Sequence, residues 1–174
     1  MSPLDSIDPV LDGWNQADPA AAHAAMLACC GATRWAEAMV AARPLTGIAA
    51  LSETADRLWS AMQEVDWLEA FACHPRIGER KAQATGQSAA WSTQEQASAV
   101  TASERILLEL SEKNALYEQR FGFTYIVCAT GKSAAEMLAI LTRRLSSDRQ
   151  TELREAAEQQ RQIMQIRLGK WVAV

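Results

Sequence analysis

Glycine and proline are scarce in this chain, eight and five residues among 174, and there are only two histidines. With 49% apolar residues and abundant alanine, the shortage of chain breakers argues against a β-rich protein and for helices packed through small residues. No apolar run reaches membrane-spanning length. A signal-peptide hydrophobic region and a C-terminal peroxisomal tripeptide are also lacking, the chain ending Trp171-Val172-Ala173-Val174, so the expectation is a soluble cytoplasmic protein. The net charge of −4 is spread along the sequence without a basic cluster. Nucleic acid and anionic membrane are therefore not expected as partners, although a local pocket for an anion stays open. Cys29, Cys30, Cys73 and Cys128 show neither C-x-x-C spacing nor a disulfide framework and are expected to be buried thiols in a reducing compartment. Two distant histidines and unpaired cysteines match no common ligand spacing, so no metal is expected. Both glycine-rich phosphate motifs are missing; Ala129-Thr130-Gly131-Lys132-Ser133 imitates only the tail of one. Without repeats, low-complexity tracts or an interdomain linker, residues 1–174 are expected to form a single domain.

What is present is helical patterning, and the expected fold is an all-α bundle of about eight helices. The first dozen residues, with Pro3, Asp8, Pro9 and Gly13, suggest an irregular lead-in. Asp18-Pro19 supplies an N-cap and a first-turn proline for an alanine-rich helix stopped by Gly31. Thr33 is positioned to cap a second helix ending before Pro44. Ile48, Leu51, Ala55, Leu58, Trp59, Met62 and Val65 then recur at three- and four-residue spacing, giving one apolar face. A short helix from Asp66 to about Cys73 follows. A long one is expected from about Thr93 to Arg120, its stripe of Val100, Leu107, Leu110, Tyr117 and Phe121 interrupted by Asn114, and Gly122 breaks it. Phe123 to Cys128 has strand-like composition without a partner strand, which makes it a buried extended or helical connector rather than part of a sheet. Ser133 and Glu136 form a capping box, opening a helix with Met137, Leu138, Leu141 and Leu145 inside. In the last helix, Asp148 to Leu168, the inner residues are Leu153, Ala157, Met164 and Leu168. The scattered tryptophans belong to the core.

The stretch from Cys73 to Gln96 departs from this pattern. Pro75 pushes His74 toward extended angles and ends the preceding helix there. His74 suits two roles: a cation at a helix C-terminus, or a proton-transfer group beside a pocket covered by the aperiodic 76–91 loop. Ser92 and Glu95 form an S-x-x-E capping box, yet a helix N-terminus also displays free amides to an anion, and Gln96 adds a group that donates and accepts. Arg167, beside Met164, Leu168 and Trp171, either snorkels near a helix end or turns inward as a fork for a carboxylate. His23 in its alanine-rich helix is a surface or core histidine.

Taken together, H-P-R-I-G-E-R at 74–80, W-S-T-Q-E-Q at 91–96, N-A-L-Y-E-Q-R-F-G-F-T-Y-I-V-C-A at 114–129 and I-R-L at 166–168 resemble the OHCU decarboxylase family, in order and over nearly the whole chain. The resemblance implies an all-α fold, usually a homodimer, and decarboxylation of 2-oxo-4-hydroxy-4-carboxy-5-ureidoimidazoline in urate breakdown without metal or organic cofactor. It makes His74 the catalytic residue, with Pro75 beside the substrate; on what the residues can do chemically, Glu95 is assigned to orient the imidazole and fix its protonation state. It places substrate contacts at Ser92, Thr93, Gln94, Glu95 and Gln96, and backbone contacts at Val127, Cys128, Ala129, Thr130 and Gly131, where Thr130-Gly131 departs from the more usual residues. Arg167 matches the arginine of the family's terminal helix. A rival from another class is a helical interaction module whose H-P and S-x-x-E-Q features are only helix ends, with an exposed apolar groove for a partner. A second rival is an enzyme of related fold acting on another ureido or imidazoline acid.

Overall fold

In the computed structural model, which describes residues 8–77 and 104–173, the described residues form eight helices and no strand. In chain order they are α1 (Pro9–Gln16), α2 (Pro19–Cys29), α3 (Thr33–Ala41), α4 (Ile48–Ser60), α5 (Glu64–Ala72), α6 (Glu104–Phe121), α7 (Ala134–Arg144) and α8 (Arg149–Val172). Two compact units are distinguished, residues 1–69 with 161–174, and residues 70–160. The all-α expectation holds.

In the first unit, local capping chemistry starts the helices. Asp8 accepts from the amides of Val10 and Leu11 with Pro9 at the first turn, and Asp18 repeats the device for α2. The expected irregular lead-in is therefore corrected from Asp8 onward: Asp8-Pro9 is the same start signal as Asp18-Pro19, and Gly13 is tolerated inside α1. Gly31 does not stop α2, which ends where Cys30 turns to extended backbone. Thr33 is not the cap of α3 either. Ala32 holds that position, and the α3 N-terminus instead receives the carboxylate of Glu69, which accepts from the Thr33 amide at 3.2 Å and its hydroxyl at 2.5 Å. On α4, Leu51, Ala55 and Trp59 are buried, but Ile48 and Val65 are 51% and 66% exposed, because the helix ends at Ser60 and Val65 belongs to α5.

The core of this unit is built on tryptophans whose polar edges are satisfied. Trp14 Nε1 donates to Ala22 O at 2.9 Å and Trp35 Nε1 to Ala55 O at 3.1 Å, while Trp14 meets Trp171 edge-on at 6.1 Å. Arg43 donates to the terminal α1 carbonyls of Trp14 and to Ala17, at 2.8 Å each, placing a cation where carbonyls lack helical partners. Arg161 and Gln165 of α8 engage Asp56, and Gln165 also pairs with Ser52, on α4.

In the second unit α6 packs on α7, and Gly122, at φ +80°, ends α6 with its amide donating to Glu118 O. The capping box at Ser133 and Glu136 is formed. Phe123–Cys128 is not a strand, as expected, and of the extended and helical forms left open it is not the helical one; all but Thr124 is buried. Its backbone is satisfied largely by side chains. Arg144 Nη1 donates to Ile126 O at 2.6 Å, and the same guanidinium pairs with Glu152, which also accepts from Tyr117 Oη at 2.6 Å. Arg144 and Glu152 are 3% and 1% exposed, and Tyr125, its ring 4.9 Å below the Arg144 guanidinium, donates to Met137 O. Burial pushes both phenols up in pKa, against the opposing pull of Arg144, so they remain donors.

Cysteine burial requires a correction. Cys29, Cys30 and Cys128 are buried, but Cys73 is exposed, since it lies on the turn just past the end of α5. Burial pushes the Cys29 thiol up to about 12, opposed only in part by the charge of Arg167. Two outcomes follow. Arg144→Ala, leaving Glu152 buried beside fewer donors, should cost about 3–5 kcal/mol in urea unfolding, and Tyr117→Phe about 1–3 kcal/mol; equal, negligible losses would show that the network carries no stability. In native protein near neutral pH, Cys73 should be the thiol alkylated first, abolished by Cys73→Ser. Cys29 should stay inert until the pH climbs toward about 12 or the chain unfolds.

Candidate active site

The end of α5 is tightened before it stops. The amides of Cys73 and His74 reach back three residues, to Ala70 O at 3.2 Å and Phe71 O at 3.1 Å, and Pro75 prevents a further turn. This leaves His74 half-buried, its Nε2 2.6 Å from Oε1 of Gln160, a residue of α8 that is fully buried. Two residues on, Arg76 meets Glu118 of α6 in a two-pronged ion pair, Nε and Nη2 each 2.7 Å from a carboxylate oxygen. The H-P-R segment is thus held at the imidazole by one helix and at the guanidinium by another.

The 127–131 segment is bound to the same stretch of α8. Cys128 N donates to Oε1 of Gln159 at 2.8 Å, and Cys128 O accepts from Lys132 Nζ at 2.7 Å. Val127, Cys128 and Ala129 are buried, whereas Thr130 and Gly131 are exposed, Gly131 at φ +75° turning the chain toward the α7 cap. Consecutive residues Gln159 and Gln160 therefore tie together the two pieces that sequence reasoning had singled out separately, His74 and the connector. Pro75, half-buried, accompanies the imidazole. Ser92, Thr93, Gln94, Glu95 and Gln96 lie outside the described residues, so the expected pairing of Glu95 with His74 does too.

Arg167 belongs to the first unit, where it is 3% exposed and close enough to Cys29 for its charge to act on that thiol. Its burial rules out the snorkelling reading. Among the described residues no three His, Cys, Asp or Glu side chains gather as metal ligands would. His23 is partly buried on α2. Neither Gln159 nor Gln160 was recognised from sequence. A signal existed: Glu152, Gln160 and Arg167 are buried polar residues in register with Ala156, Ile163 and Trp171 on α8.

The OHCU decarboxylase family model matches residues 15–169. The chain belongs to the OHCU decarboxylase family. It is 38% identical over 144 residues to the uric acid degradation bifunctional protein TTL of Arabidopsis thaliana, covering 82% of this chain and 44% of that protein, so it spans less than half the length of that relative. A crystal structure of an OHCU decarboxylase in the presence of (S)-allantoin superposes with TM-score 0.75 at 35% identity, covering 85% of this chain and 96% of that one. An (S)-allantoin synthase structure, at 17% identity and TM-score 0.69, covers 92% of this chain and 53% of the other and shares the fold. In this chain Arg76 and Glu118 join the H-P-R and N-x-x-Y-E-Q motifs. A double-mutant cycle of Arg76→Ala and Glu118→Ala, read by urea unfolding, should return a coupling of about 0.5–1 kcal/mol, the upper range for a partly exposed pair. No coupling would mean that the motifs are not joined by this contact in solution.

Proposed function

We propose that this chain is a cofactor-independent decarboxylase that converts 2-oxo-4-hydroxy-4-carboxy-5-ureidoimidazoline to (S)-allantoin in urate degradation. The observation that carries the reading is the anchored imidazole: a half-buried His74, clamped by Gln160, tied through Gln159 to the connector whose sequence matches the family. Family membership and the similarity to an OHCU decarboxylase structure with (S)-allantoin support the choice of substrate.

The chemistry needs no electron sink beyond the substrate. The bond to the carboxylate breaks; its electron pair becomes a double bond to the ureido-bearing carbon, and the former C=N pair settles on the nitrogen, which takes up a proton from solvent. The hydroxyl on the same carbon gives up its proton and becomes a carbonyl, and the carbon bearing the ureido group gains a proton on one face. The protein must hold the carboxylate out of the ring plane, stabilise the moving charge and place the proton. His74 is assigned as the general acid/base, oriented by Glu95. Pro75 flanks the ring. Ser92, Thr93, Gln94, Glu95, Gln96, Arg167 and the backbone of Val127, Cys128, Ala129, Thr130 and Gly131 hold the ureido and carboxylate groups. In this proposal residues 1–174 act as one domain, the working form is a homodimer, and the compartment is the cytoplasm.

The test is circular dichroism at allantoin wavelengths with freshly made urate-oxidation intermediates. The protein should accelerate appearance of a single enantiomer, unaffected by chelator, and His74→Asn should lower the rate roughly 100-fold or more while the helical spectrum persists. A racemic trace equal to the blank would remove the enzymatic reading; normal turnover by His74→Asn would remove the role of that residue.

A further inference from the structure

Lys132 belongs to the stretch that imitates the tail of a phosphate motif, and the fold ties it to the connector of the candidate site. Its amide donates to Ala129 O at 3.0 Å, closing a turn whose third residue, Gly131, has φ +75°. Its side chain reaches back along the same turn, and Nζ donates to Cys128 O at 2.7 Å. Cys128 is thus held on both sides, its amide by Gln159 and its carbonyl by Lys132, and all three residues lie in the second unit with His74. Lys132 is half-buried and forms no ion pair among the described residues. The neighbouring carboxylates are engaged elsewhere, Glu136 with the Ser133 amide and Glu155 with the Gln159 side chain. An ammonium with further donors therefore stands on the Cys128 carbonyl without a counter-charge. The amides of Ala129, Thr130 and Gly131 likewise have no acceptor among the described residues.

We propose that Lys132 is an anion-binding residue of this site, its ammonium, pinned on the Cys128 carbonyl beside the 129–131 amides, receiving the carboxylate of the substrate. The identity of that anion rests on the decarboxylase reading; the position of the charge does not. A carboxylate that meets an ammonium and backbone amides makes charge-assisted bonds, and the Gly131 turn carries both kinds of donor on one short loop. The group bound there loses its charge as carbon dioxide leaves, so the contact is weaker in the transition state than in the bound substrate. Lys132 therefore contributes to capture and placement of the substrate rather than to the chemical step.

The test is amide NMR of the nitrogen-labelled full-length protein, titrated with hydantoate, a ureido carboxylate, and separately with its neutral amide. Hydantoate should move the resonances of Ala129, Thr130 and Gly131. Lys132→Met should weaken its binding roughly 10-fold or more, as loss of a hydrogen bond to a charged group does, and leave the weaker binding of the neutral amide unchanged. Lys132→Arg, which keeps a cation, should restore most of the affinity. Lys132→Gln, which can keep the bond to Cys128 O without the charge, should behave like Lys132→Met and replaces it if that variant does not fold. In turnover, Lys132→Met should raise KM by a similar factor with kcat changed less, and added salt should lower kcat/KM more in the wild type than in the variant. Undiminished hydantoate binding by either charge-removing variant would overturn the proposal, as would hydantoate leaving the 129–131 amides unmoved in the wild type. An equal loss for hydantoate and its neutral amide would also overturn it, since a merely loosened turn produces that result. If the binding results are as stated but no decarboxylation occurs, the anion site stands and the substrate assignment falls.

Discussion

The buried guanidinium of Arg144 is the point at which the second unit is made rigid. It sits at the C-terminal end of α7, where a cation is favoured, and from there reaches Glu152 on α8 and the Ile126 carbonyl of the connector. Tyr117 on α6 closes the set by donating to the same Glu152 oxygen. An ion pair this deep would be a poor source of stability were it not so fully hydrogen-bonded. Its effect is to specify position: an extended segment with no neighbouring strand is given acceptors and donors at defined places, and two aromatic rings stacked on the cation hold its path.

That fixed path sets up the candidate site. Glu152 and the Gln159-Gln160 pair are separated by about two turns of α8, about 10 Å along the axis. The helix therefore anchors the connector at two levels, through Arg144 at Ile126 and through Gln159 at Cys128, and with the next side chain it holds His74. Because these are contacts of one rigid element, the distance between imidazole and connector is governed by helix geometry. The Arg76–Glu118 pair adds an independent attachment for the segment after Pro75, so that the histidine is constrained on both sides.

Such an arrangement suits a reaction in which the substrate contains its own electron sink. In the proposed reaction the protein contributes orientation and proton placement, for which His74 is the assigned group.

Local signals determined a large part of the fold. Asp18-Pro19, the Ser133-Glu136 box, Gly122 and the three- and four-residue spacing of apolar side chains each act within a turn or two of chain, and each produced the element it announced. Asp8-Pro9 carried the same information for α1. Pro75 likewise ended α5 by a clash with its immediate neighbour, which is why His74 stood out. What the tertiary structure alone decided were the long-range polar partners. Thr33 yielded its capping role to Glu69, 36 residues away, and Gln160 came to His74 across 86 residues. A single buried glutamine leaves almost no mark on a periodic pattern, because the pattern records which face is inward and not what waits there. Arg167 was ambiguous for the same reason: an arginine beside an apolar stripe can lie along it or turn beneath it, and only the packing of the surrounding helices removed the choice.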